Sequence, residues 1–209
     1  MPPIETVHIV DDDASLRDAL QTLFQSVGVE ARAFPSTAAF LAANCDKLSG
    51  CLLLDIRLPG TNGLDFQGQM ARHGVNIPVI FMTGHGDIPM SVRGMKAGAV
   101  DFLPKPFRDQ DMLDAVAQAF AIDRTRRAAE EEAAELRGRY DTLSTREKQV
   151  MALVTDGKMN KQAAAELMLS EITVKIHRGA AMKKMNARSL ADLVRMMAAL
   201  QADNPDRHE

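Results

Sequence analysis

The sequence predicts a doubly wound α/β domain on a five-stranded parallel sheet, followed by a smaller all-helical domain. Three observations carry this. Over the first 120 residues short β-like runs alternate with helical ones, which is the pattern of a parallel sheet layered with helices. Two of those runs, 51–54 and 77–82, are almost wholly apolar, as strands buried on both faces must be. Beyond residue 109 the apolar spacing is helical only.

Residues 6–10 form the first β-like run and end in Asp11, Asp12 and Asp13. Ala14, Leu16, Leu20, Leu23, Phe24 and Val27 recur at helical spacing, and Gly28 stops that helix. Residues 29–34 read as a second strand, and Ser36 as the N-cap of a helix through Ala43. The third strand, 51–54, leads into Asp55. Pro59, Gly60 and Gly63 punctuate the next loop, and a helix is predicted near 64–73. The fourth strand, 77–82, ends at Thr83-Gly84, and a helix follows over 88–97. The fifth, 100–103, runs into Pro104-Lys105-Pro106, and a last helix begins near Asp109.

Residues 122–142 are rich in helix formers and lack proline. They are expected to prolong that helix as a linker, with pairs such as Arg127 and Glu131 one turn apart and Gly138 as a weak point. A flexible linker is the alternative. Further on, Ser144 and Glu147 make a capping-box signature, and Gly157 ends that helix. A second helix spans 160–167 with Asn160 as its cap. Ser170 caps a third over 171–185, and a fourth begins near Ser189 with Leu190, Leu193, Val194 and Met197. The expected organisation is therefore an α/β domain at 1–121, a linker helix at 122–142, a helical domain at 143–200 and a disordered tail at 201–209.

Charge separates the two domains. Residues 1–121 carry 9 Lys+Arg against 14 Asp+Glu, a net of −5, whereas residues 143–209 carry 11 against 8, a net of +3. The acidic half has reason to bind a cation, and the basic half can face a polyanion. Cys45 and Cys51 read as two free thiols in a reducing compartment rather than as a loop staple. No basic start precedes an apolar run, and no stretch reaches the length of a membrane span. A cytoplasmic protein without a membrane partner is expected.

In a doubly wound sheet, ligands bind beyond the carboxyl ends of the strands. Asp11, Asp12, Asp55, Thr83 and Lys105 all fall there. Converging carboxylates repel one another, and a hard divalent cation such as Mg2+ resolves the conflict. Asp11 and Asp12 are candidate cation ligands. Asp55 is a candidate both for ligand and for nucleophile, able to take a phosphoryl group as an aspartyl-phosphate. Lys105 supplies a positive charge at the end of strand five, and the Thr83 hydroxyl can donate to a phosphoryl oxygen. Taken singly, each of these residues could equally be a cap or a loop residue; their ordered placement at four strand ends is the specific signal. Asp13 is assigned instead to the helix N-terminus.

With VHIVDDD at 7–13, LLLDIRLPG at 52–60, FMTGHGD at 81–87 and DFLPKPF at 101–107, residues 1–121 resemble the CheY-like receiver domains of two-component response regulators. The resemblance implies that Asp55 is the phosphoacceptor and that the Arg57 backbone carbonyl joins Asp11, Asp12 and Asp55 around Mg2+. It also implies that Thr83 is the switch hydroxyl, that Phe102 holds the aromatic switch position, that Lys105 contacts the phosphoryl group and that the Lys105-Pro106 bond is cis. His85 stands where receivers tune phosphorylation rates and is given no role.

In the second domain, residues 171–188 hold five bases against one acid, Glu171. Val174, His177, Ala181, Met182 and Met185 follow a buried helical stripe, which turns Lys175, Arg178 and Gly179 elsewhere. Charge alone also fits a solvated face on an ordinary bundle. Residues 143–197, with TVKIH at 173–177 and KKM at 183–185, resemble the LuxR/NarL/FixJ helix-turn-helix output domain, and the whole chain is similar to FixJ-like regulators. That resemblance implies DNA contacts from Ser170, Thr173, Lys175, Ile176, Arg178, Gly179, Lys183 and Lys184, with Lys175 and Ile176 facing the major groove. Gly179 departs from members with a larger polar side chain, and His177 is read as packing. The last helix is the implied dimer surface. Met90, Val92, Met95 and Ala99 could supply apolar contact on the receiver or belong to its core.

The function implied is a phosphorylation-controlled transcription factor. Its partners would be a histidine kinase, promoter DNA, a second copy of itself on phosphorylation and RNA polymerase, and activation is the expected direction. A phosphorylation-independent DNA-binding regulator is the alternative; the intact Asp55, Thr83 and Lys105 oppose it. A haloacid-dehalogenase-like enzyme would need an acid two residues past Asp55, and Arg57 stands there. Slow self-dephosphorylation is the most catalysis expected.

Overall fold

The computed structural model describes residues 4–43, 48–84 and 88–202, with the backbone alone for 88–91. The chain divides between Arg127 and Ala128 into two compact units. The first contains β1 (Thr6–Val10), α1 (Ala14–Ser26), β2 (Glu30–Phe34), α2 (Thr37–Ala42), β3 (Gly50–Asp55), β4 (Arg57–Leu58), β5 (Thr61–Asn62) and α3 (Gly63–Gln69). β6 (Val79–Thr83), α4 (Ile88–Lys96), β7 (Asp101–Pro104) and α5 (Asp109–Asp141) follow, α5 continuing into the second unit. Five strands form one parallel sheet in the order β2-β1-β3-β6-β7. The order reverses between β1 and β3, the position at which such sheets open a crevice.

Alternation along β1 builds two cores. Val7 and Ile9 pack with Leu20 and Phe24 of α1 and with Met112, Val116 and Phe120 of α5. Val10 turns to the opposite layer with Phe40, Leu54 and Phe66. All six residues of β3 are buried, which explains its unbroken apolar run.

Side-chain caps start the helices where the sequence predicts them. Asp13 accepts from the amides of Ser15 and Leu16 and is the N-cap of α1, and Ser36 caps α2. The helix expected over 64–73 is shorter, because Met70–His73 tightens into a 3₁₀ turn that Gly74 ends at φ +72°. A small antiparallel pair, β4–β5, with no strand pattern in the sequence, folds the loop after Asp55.

Around the amino end of the sheet lies an unexpected ion network. Asp123 of α5 is fully buried and accepts from the Gly50 amide at 2.9 Å, from Arg126 at 2.6 Å and from Arg127 at 2.7 Å. Arg127 therefore pairs backwards with Asp123, and with Glu5 at 3.5 Å, instead of with Glu131. Gly50 has φ +106°, and a Cβ there would lie 2.0 Å from the Thr6 carbonyl oxygen; only glycine fits.

α5 runs unbroken through Gly138, so the linker is helical. Its last turns bring Leu136 and Tyr140 onto the second core. That core joins α6 (Thr145–Thr155), α7 (Asn160–Leu167), α8 (Glu171–Met185) and α9 (Leu190–Ala202) through Val150, Met151, Val154, Ala163, Val174, Ala181, Met185 and Leu193. Ser144 and Glu147 form the capping box on α6. Asn160 is not the cap of α7. Met159 takes that place, its N–H donating to the Gln162 side chain at 2.8 Å, while the Asn160 side-chain Oδ1 accepts from Arg178 at 3.2 Å. Leu193 and Met197 complete the local core, whereas Leu190 and Val194 stay partly exposed on α9. Ala99 is likewise core, and Val92 and Met95 are about half exposed. Cys45, His85 and the 203–209 part of the expected tail lie outside the described residues, as does the Met90 side chain.

Candidate functional site

Parallel register brings the strand ends level. Val10 pairs with Phe34 and Leu54, Asp55 with Met82, and Thr83 with Pro104. The residues just beyond therefore converge in the crevice between β1 and β3. Asp11 is fully buried and Asp55 nearly so, while Asp12 is exposed. Each of the three offers a carboxylate oxygen within 4.8 Å of the others.

Backbone contacts aim these groups. The Asp11 Oδ1 accepts from the Asp13 amide at 2.9 Å, and the Asp55 Oδ1 from the Arg57 amide at 3.0 Å. The remaining oxygen of each faces Lys105, whose Nζ lies 2.6 Å from both Asp11 Oδ2 and Asp55 Oδ2. Lys105 reaches them because its own amide donates to the Thr83 carbonyl at 2.7 Å, which holds the loop after β7 against the end of β6. The Lys105-Pro106 bond is cis. Arg17, whose role no sequence motif signals, donates to the Asp11 carbonyl at 2.7 Å and fixes the acidic loop on α1.

Burial pushes the Asp11 carboxyl above the usual carboxylate range, against the opposing hydrogen bonds from Lys105 and the Asp13 amide. For Lys105, burial works against the charge, but hydrogen bonds to Asp11 and Asp55 outweigh it and hold the ammonium above its ordinary value. One ammonium thus serves two carboxylates, and the third carboxylate is left facing solvent. This all-oxygen cluster can coordinate a metal ion and suits a hard cation, since no histidine or cysteine belongs to it.

Thr83 is buried at the end of β6. Phe102 is partly buried on β7, its ring 5.1 Å from that of Phe81. A Cβ at Gly94 of α4 would meet the Phe102 ring at 2.4 Å, so α4 packs directly on this aromatic.

In the second unit, α7 and α8 are joined by a short turn in which Met168 is left-handed at φ +56°. Ser170 caps α8, its Oγ accepting from the Thr173 amide at 3.0 Å and lying 2.7 Å from the Thr173 hydroxyl. Val174, Ala181 and Met185 are buried, as predicted, and Lys175, Ile176, Gly179, Lys183 and Lys184 are exposed. Several polar groups already have intramolecular partners. Arg178 donates to Asn160, and Lys175 lies 3.7 Å from Glu171. Lys184 donates to Glu147 at 2.7 Å and to the Thr142 carbonyl at 3.2 Å. The Lys184 ammonium, with the Ser144 amide, holds the Glu147 carboxyl below its usual range. Sequence spacing could not reveal that Lys184 turns towards the capping box 37 positions away. Among the described residues no helix is long and apolar enough to cross a membrane.

Comparison with known proteins agrees with this geometry. Residues 7–117 match the response regulator receiver domain family, and residues 141–197 match the luxR family of bacterial regulatory proteins. Nodulation protein W of Bradyrhizobium diazoefficiens is 58% identical over 93% of this chain and 86% of its own length. Response regulator protein TmoT of Ectopseudomonas mendocina is 45% identical over 93% and 89%. Among solved structures, response regulator StyR superposes with a TM-score of 0.82 at 45% identity, covering 94% of this chain and 99% of that one. Receiver sheet, acidic cluster and helical output unit thus occur together in one chain, and the chain belongs to the FixJ-like two-component response regulators, transcriptional regulators with a LuxR-type helix-turn-helix rather than enzymes.

Proposed function

We propose that Asp55 is the phosphoacceptor of a switch that controls binding to promoter DNA. The observation that carries this reading is the shared Lys105 ammonium, 2.6 Å from both Asp11 and Asp55 in a cluster of three carboxylates. Asp55 Oδ attacks the phosphorus of a kinase phosphohistidine; the P–O bond forms as the P–N bond breaks, and the imidazole leaves. Mg2+, held by Asp11, Asp12, Asp55 and the Arg57 carbonyl, would offset charge on the transferring oxygens. Lys105 turns from the carboxylates to the phosphoryl group, and the Thr83 hydroxyl donates to it. Phe102, packed between Phe81 and Gly94, follows Thr83 and biases the face around α4. A second copy then docks, and two output units bind a pseudo-palindromic duplex through Ser170, Thr173, Lys175, Ile176, Arg178, Gly179, Lys183 and Lys184.

Residues 1–121 are the receiver, 122–142 the linker and 143–200 the output domain in this reading. The protein works in the cytoplasm and activates transcription by engaging RNA polymerase. The test is binding of the full chain to selected duplex DNA, with and without acetyl phosphate and Mg2+, beside Asp55→Ala. The donor is expected to tighten binding and dimerisation of the wild type alone. Equal binding by both proteins, whatever the donor does, would replace this reading with a phosphorylation-independent regulator.

A further inference from the structure

On a helix advancing about 100° per residue, Ile172, Ile176, Gly179 and Lys183 of α8 fall on one stripe, opposite the buried Val174, Ala181 and Met185. The two isoleucines are 72% and 64% exposed. Among the described residues neither belongs to the core of the output unit. β-Branched residues are poor choices for a solvated helix surface, where they lower helix propensity and gain no packing. One turn further on, a Cβ added to Gly179 would meet nothing within 4 Å, so the stripe changes from two projecting apolar side chains to bare backbone. Lys175 and Lys183 lie on or beside the same face and are exposed.

We propose that Ile172 and Ile176 read thymine, through its C5-methyl group, in the major groove of duplex DNA, and that Gly179 lets the next base edges approach the helix backbone. The inference rests on the DNA-binding reading above and adds what α8 recognises. The thymine methyl is the one apolar mark on a major-groove base edge, and an exposed isoleucine is chemically matched to it. The basic flank supplies phosphate attraction, which positions a helix but does not select sequence. Away from the stripe, Arg178 is engaged by Asn160 and Lys184 by Glu147. The isoleucines add apolar contacts beside the exposed Lys175 and Lys183, and the preferred half-site carries thymines where Ile172 and Ile176 land.

The test needs no variant at first. Duplexes are selected from a random library with the full-length chain plus acetyl phosphate and Mg2+, and each thymine of the best site is replaced by deoxyuridine, which removes only the methyl. One or two positions per half-site are expected to weaken binding about fourfold each, the effect of one buried methyl group. Ile172→Ala with Ile176→Ala should erase the thymine–deoxyuridine difference, and Ile176→Val should keep part of it. Both side chains are exposed, so the variant's thermal melt should match the wild type. If duplex DNA binds tightly but no deoxyuridine substitution matters, or if the double variant discriminates as before, the thymine reading is wrong and the DNA-binding function stands. If no duplex is selected at all, both readings fall together.

Discussion

At the scale of single residues, partly buried Lys105 and buried His8 have opposite fates. Lys105 keeps its charge by bridging Asp11 and Asp55 at 2.6 Å each. Removing it leaves two carboxylates facing each other in a crevice, a repulsion that a divalent cation can relieve. Lys105→Ala should therefore lose more stability without Mg2+ than with it, and millimolar Mg2+ should raise the variant's Tm by more than the wild type's. Equal Mg2+ shifts in the two proteins would show that ammonium and cation do not share the site. His8 is buried on β1 between the rings of Phe34 and Phe40. Burial lowers it from 6.5 to about 4, and neither ring nitrogen finds a hydrogen-bond partner among the described residues. The unfolded chain then binds a proton that the fold refuses, so stability rises with pH across this window and is lost on acidification from 6.5 towards 4. At about 1.4 kcal/mol per unit the loss is about 3 kcal/mol. Urea titrations at several pH values should show it as a changing difference between wild type and His8→Leu; a constant difference would mean that His8 is protonated in the fold.

At the scale of elements, Asp123 ties α5 to the Gly50 end of β3. Burial raises its carboxyl, but the Gly50 amide and the Arg126 and Arg127 guanidiniums outweigh that and hold it below the usual carboxylate range. Its stabilising contribution is present above that range and disappears as pH falls through the lowered value. Asp123→Ala would strand the Gly50 N–H and take from Arg126 and Arg127 the carboxylate they share. The cost should be about 2–4 kcal/mol, less than for a fully buried pair because both guanidiniums reach solvent. A urea midpoint at neutral pH within the error of the wild type would make the network ornamental. This element also shows the reach of sequence reading. Strands ending in Asp55 or Thr83, and helices opened by Asp13, Ser36 and Ser144, are legible because period and caps are local. The candidate cluster is legible because a doubly wound sheet gathers its strand ends. Asp123 is silent in the sequence because its partner Gly50 lies 73 positions away, and the Asn160–Arg178 pair is silent for the same reason. The β4–β5 pair leaves no alternation to read in strands of two residues each.

At the scale of the molecule, the two units have separate cores. The clusters that wrap the sheet contain no residue beyond Phe120, and the output cluster begins at Leu136. A fragment of residues 136–209 keeps Leu136 and Tyr140 and loses none of its core, so it should fold alone and unfold cooperatively. Its charge differs sharply from that of the whole. The fragment carries 13 Lys+Arg against 9 Asp+Glu, a net of +4, whereas the full chain is at −3. What is removed includes the acidic receiver and the Glu130–Glu132 run of α5. A polyanion should therefore meet the fragment more readily than the whole protein, and the gap should close as salt screens it, with a Debye length near 10 Å at 0.1 M. Binding to a non-cognate duplex, followed by anisotropy across a salt series, should show the fragment tighter at low salt and level with the full chain at high salt. Adding a phosphoryl group makes the whole chain more negative still, so any tightening on phosphorylation has to come from pairing two output units, or from releasing the output unit, against the electrostatic trend. If the fragment and the full chain give superimposable salt curves, the receiver's charge has no influence at the DNA, and sequence-independent attraction is set by the face of α8 alone.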